Sequence, residues 1–174
     1  SQTKDLLDTL LGNLYGVDCE KFILFDATLA TAKYLKAQNN NLNIAPSVAH
    51  PFDIRRFNVA VGGTLMSIDE ALAHANLFSW VWLDEWDTTD ENNGIKKFYT
   101  KEIFEKIRGH GLKIALVTPE LHRTSPKLLG GESHHDALNQ KKIFARIKEI
   151  IKLKPDAVCT DYPDHVRSLI RERT

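Results

Sequence analysis

Two hydrophobic periods alternate along this chain. Leu6, Leu7, Leu10, Leu11 and Leu14 recur at helical spacing behind Thr3, which predicts an opening helix capped by Thr3 and stopped near Gly16. Phe22-Ile23-Leu24-Phe25-Asp26 is a continuous apolar run of strand length that ends on a carboxylate. The Ala-, Leu- and Lys-rich stretch from Thr28 to Ala37 predicts a helix, broken by Asn39-Asn40-Asn41, and a second strand is expected from Leu42 to about Val48. His50 to Gly63, with Pro51 and Gly62-Gly63, reads as an irregular functional loop at that strand's tip. Ser67-Ile68-Asp69-Glu70 has capping-box form and predicts a helix from Ile68 to Ala75.

The second half repeats the scheme. Phe78-Ser79-Trp80-Val81-Trp82-Leu83 is aromatic and β-branched, hence a third strand, and it runs into Asp84-Glu85-Trp86-Asp87 before an acidic, turn-rich loop to Asn93-Gly94. Ile103, Phe104 and Ile107 mark a helix that Gly109 or Gly111 ends, and Leu112 to Val117 is a fourth strand. Thr118-Pro119-Glu120-Leu121-His122 opens a long connection through Gly130-Gly131 and His134-His135. An amphipathic helix carrying Ile143, Phe144, Ile147, Ile150 and Ile151 stops before Pro155. Asp156 to Cys159 is a fifth strand, and Pro163 suits the first turn of a last helix with Val166, Leu169 and Ile170.

Strands joined by helices pair in parallel, because each crossover returns the chain to the same end of the sheet. The expected class is therefore α/β, a single domain over residues 1–174. Its parallel βα units are either a partial TIM (β/α)8 barrel of about five strands or an open doubly wound parallel sheet, and the pattern leaves both open.

Composition changes this picture little. With 174 residues and 43% hydrophobic content the chain can bury a substantial core, and it has no apolar run of the about eighteen residues that a membrane span needs. Basic and acidic side chains balance at 23 each, so no net field favours nucleic acid or an anionic membrane. Cys19 and Cys159 are far apart and lie among apolar residues, which predicts buried reduced thiols rather than a disulfide. The chain opens with Ser1-Gln2-Thr3-Lys4 and no signal-like segment, so the compartment stays open with the cytoplasm favoured.

The chemistry collects at the strand ends. Asp26, Asp84, Glu85, Glu120 and Asp161 fall at predicted strand tips, which parallel pairing gathers on one rim. Such carboxylates can hold a hard divalent cation through oxygen, or can simply cap the helices that follow. His50 and His122 also follow strand ends and suit proton donation or phosphate binding, against the simpler role of solvated loop residues; His134-His135 has the weaker claim. Trp80 and Trp82 suit the core, and Trp86 a stacking wall at the rim. Arg123 and Lys127 are candidate phosphate holders, while the basic residues from Lys141 to Lys154 read as a solvated helix face.

Lys154-Pro155-Asp156-Ala157-Val158-Cys159-Thr160-Asp161-Tyr162-Pro163 resembles the closing strand of the glycerophosphodiester phosphodiesterase family, which typically ends in a Gly-Val-Asp-Gly-Ile-Ile-Thr-Asp-Tyr-Pro type sequence. Phe25-Asp26-Ala27-Thr28 resembles that family's Ser-Phe-Asp strand end. Thr118-Pro119-Glu120-Leu121-His122 with Cys159-Thr160-Asp161-Tyr162-Pro163 is similar to the Ser-Pro-Glu-Leu-His and Cys-Thr-Asp-x-Pro segments of a divergent phosphodiesterase-like branch. The likeness covers roughly Lys21 onward.

It implies a TIM barrel that hydrolyses a small phosphodiester with divalent metal help, Mg or Ca. The family's acid-base histidines lie in His-Arg-Gly and a later His-Asp, and its metal acids in a Glu-x-Asp strand. No His-Arg-Gly and no Glu-x-Asp strand stand before Lys21, so the resemblance implies the last five strands of a barrel, catalytically incomplete as this chain. On this mapping Glu120 and His122 are the catalytic candidates, His50, Trp86, Arg123 and Asp161 the substrate-binding ones, and Asp84 and Glu85 the metal ligands. An open arc leaves strand edges unpaired, which calls for a homo-oligomer or a complementary N-terminal half-barrel chain.

Overall fold

A computed structural model describes residues 2–86, 96–123 and 135–172. In chain order its elements are α1 (Gln2–Asn13), α2 (Leu29–Gln38), β1 (Ser47–Ala49), α3 (Pro51–Val61), α4 (Ile68–Ala73), β2 (Trp80–Asp84), α5 (Lys101–Gly109), β3 (Lys113–Val117), α6 (Glu120–Arg123), α7 (Gln140–Lys152), β4 (Ala157–Cys159) and α8 (Pro163–Arg171). The acidic loop around Asn93-Gly94, together with Lys127, Gly130-Gly131 and His134, lies outside the described residues.

The four strands form one parallel sheet in the order β1-β2-β3-β4, each beside its neighbour in sequence. The register aligns Val48 with Leu83, Leu83 with Leu116, and Leu116 with Val158. The expected strand at Phe22–Asp26 is reduced to a single parallel bridge between Leu24 and Ile44, and Met66 makes a second bridge to Val48 farther along the same edge. The expected strand from Leu42 shortens to Ser47–Ala49, because Pro46 has no amide to offer the ladder; its carbonyl still accepts from Trp82 N at 3.0 Å.

Alternation decides which side chains see the helices. Ile44, Val48, Val81, Leu83, Ile114 and Leu116 are fully buried on one face and pack with Leu35, Leu72, Phe104, Ile107 and Ile150. Val158, on the same face, also joins Ile143, Ile147, Ile151 and Val166 in the cluster between α7 and α8. Each such side chain contributes about 1.5–3 kcal/mol of burial. The opposite face presents Trp80, Trp82 and Asp84, all half-buried, alternating with buried Val81 and Leu83, and neither cluster reaches it. Phe25, 53% exposed, stacks on Trp82 there with ring centroids 4.3 Å apart. Trp80 and Trp82 therefore sit outside the main core that the pattern assigned them. Cys159, on that same face, is exposed rather than buried, and both cysteines are free.

His50 to Gly63 is not an irregular loop. Pro51 opens α3 at a position where its missing amide costs nothing, the His50 ring accepts from Phe52 N, and Gly62 ends the helix at φ 64°. Thr3 lies inside α1 rather than capping it. Ser67 caps α4 as expected, accepting from Glu70 N at 3.1 Å. Among the described residues no helix is long and apolar enough to cross a membrane.

Candidate functional site at the strand tips

Parallel pairing brings the carboxyl ends of β1 to β4 together. Ala49 pairs with Asp84 and Val117 with Cys159, and continuing the Leu83–Leu116 register places Asp84 opposite Val117. Asp84 and Cys159 thus flank Val117 on one face, two strand spacings or roughly 10 Å apart.

Asp84 is half-buried, and no described group hydrogen-bonds its carboxylate. Desolvation, and then the charge of Asp26, push its pKa from the ordinary 3.8 up to about 7. Asp26 sits where the first segment turns away from β1, in the left-handed region at φ 60°, and its carboxylate accepts from the Thr64 hydroxyl. Non-glycine residues rarely adopt that conformation, and Asp is among those that tolerate it best.

Glu85 points to the other face, as alternation requires, and is 1% exposed. One of its oxygens accepts from Arg146 Nη2 of α7 at 2.7 Å; the other accepts from Phe98 N at 2.6 Å and Tyr99 N at 3.0 Å. The structure does not bring Asp84 and Glu85 together, and Glu85 is built into a buried network. Tyr99 completes that network, its hydroxyl lying 3.0 Å from Leu83 O and 2.9 Å from Val117 O, which bridges β2 and β3 at their tips. Burial, then Asp84 and Glu85, raise the Tyr99 phenol well above its usual range.

Glu120 opens α6 just past β3 and is 4% exposed. Its Oε1 accepts from the Thr118 hydroxyl, from the Thr160 hydroxyl at 2.6 Å and from Asp161 N at 3.0 Å, which ties the tip of β3 to that of β4. Its Oε2 is buried and has no hydrogen-bond partner. Asp161 is exposed; its amide holds Glu120, while no described group bonds its carboxylate. The Cys159 thiol registers this charge: partial desolvation, then Asp161, Glu120 and Asp84 push its pKa up.

The remaining candidates lie around this rim. His50 Nδ1 accepts from Phe52 N at 3.2 Å, and the ring stands edge-on to Phe98 at 6.3 Å, so His50 acts as the cap of α3. Trp86 is half-buried against Phe57, centroids 4.9 Å apart. His122 and Arg123 belong to α6 just after Glu120. The sequence did not suggest one further buried pair: Lys96 Nζ bonds both Asp53 oxygens at 2.6 Å, each side chain 1% exposed.

Among the described residues no three His, Cys, Asp or Glu side chains already converge as a metal cage. What the rim offers is a set of carboxylate acceptors, one buried and fixed in direction, facing chemistry that donates hydrogen bonds or carries positive charge. No protein-family model and no curated protein matches the chain.

Proposed function

We propose that this chain is part of a metal-assisted phosphodiester hydrolase resembling glycerophosphodiester phosphodiesterase, its strands an arc of a (β/α)8 barrel and its acidic rim one side of the active site. The observation that carries this reading is the strand order. In a doubly wound sheet the order reverses at a switch point and helices fall on both faces. Here four strands follow one another without reversal, and both apolar clusters draw their strand residues from one face. A barrel wall has that winding, with helices outside and alternate side chains inside. Phe25, Trp82, Asp84 and Cys159 are then inner-wall residues, and the strand edges are met by a complementary N-terminal half-barrel chain or a second copy.

The donor set fits a hard cation in part. Asp84 and the rim acids offer oxygens, whereas Glu85 is committed to Arg146 and two backbone amides. A Mg or Ca ion at such a rim supplies charge neutralisation to the phosphodiester oxygens. The chain's own residues orient and screen: Glu120 fixes the β3 and β4 tips, Tyr99 the β2 and β3 tips, and Trp86 with Phe57 forms an aromatic wall. The acid-base histidines are assigned to polypeptide outside this chain, with His122 as the local candidate.

The test is turnover of a glycerophosphodiester with Mg²⁺ or Ca²⁺, measured on this chain and on the chain joined to its upstream coding sequence. The expected result is turnover only in the extended protein, lost on Asp84→Asn. Equal turnover by the short chain overturns the assignment of the missing half. A second reading, a non-catalytic α/β binding module using the same rim, draws support from the commitment of Glu85 to a structural network; metal binding without turnover in either form favours it.

A further inference from the structure

We draw no further inference here: the strongest candidate, the sheet face that carries Trp82, the Phe25 ring stacked on it and the exposed Cys159, carries nothing because nothing in the structure shows what covers it.

Discussion

Asp84→Asn is expected to stabilise the protein, by an amount that grows with pH. The half-buried carboxyl has its pKa raised from 3.8 to about 7 by desolvation and by Asp26. At about 1.4 kcal/mol per pKa unit, the roughly three-unit rise corresponds to at most about 4 kcal/mol. Water still reaches the side chain, so about 2 kcal/mol is the working figure. Below pH 4 the carboxyl is neutral in both folded and unfolded chains and costs nothing. Between pH 4 and 7 the unfolded chain releases the proton while the folded chain keeps it, so stability falls as pH rises; above 7 the full cost is present. Asparagine has the same shape and no charge. Urea unfolding in the presence of a chelator, at pH 4.5, 6 and 8, should show the variant close to wild type at the lowest pH and about 2 kcal/mol more stable at the highest, with unchanged m-value. Asp26→Asn should recover a smaller part, since Asp26 is the lesser cause. A variant equal to or less stable than wild type at pH 8, or a difference independent of pH, refutes the reasoning.

Other expectations follow from the buried network. Arg146→Leu leaves Glu85 charged and without its guanidinium, and should cost about 3–5 kcal/mol in urea unfolding, with Glu85→Gln in the same chain recovering much of it; a cost below about 1 kcal/mol contradicts the network. Tyr99→Phe removes the hydroxyl between Leu83 O and Val117 O and should cost about 1–2 kcal/mol, whereas no measurable change would mean that the bridge contributes nothing. Gly63→Ala would put a Cβ 2.4 Å from the Phe57 ring, so it should displace that ring from Trp86, shift the tryptophan emission and destabilise by about 1–3 kcal/mol. An unchanged spectrum and midpoint in that variant would refute the contact.

Much of the fold is legible because its signals are local. Short, mainly apolar runs at Leu112–Val117 and Phe78–Leu83 fall on β3 and β2, and the Ile143-to-Ile151 stripe falls on α7. The α3 helix is hidden because histidine is an unusual cap and because Gly62-Gly63 suits a loop as well as a helix end. Pro46 is the local reason that β1 is short. At the rim, strand endings alone place Asp84, Glu120 and Asp161 at the same end of the sheet, since parallel pairing fixes which end they share. What they bond to depends on distant chain. Arg146 sits within a basic stretch that reads as solvated, yet it shares a helix face with Ile143, Ile147 and Ile150; that i+3, i+4 position was the available signal for its burial. Nothing in the pattern pairs Lys96 with Asp53, or separates Glu85 from Asp84 beyond the alternation of a strand.

The central claim, that this sheet is one wall of a barrel whose inner face carries an acidic rim, is tested most directly by a crystal structure of the chain extended by its upstream coding sequence. The account predicts a closed ring, with the outer edge of β4 hydrogen-bonded to an added strand and Phe25, Trp82 and Asp84 directed inward. An open sheet with helices packed on the Trp82 face, or with the added polypeptide folded apart from β4, would contradict it.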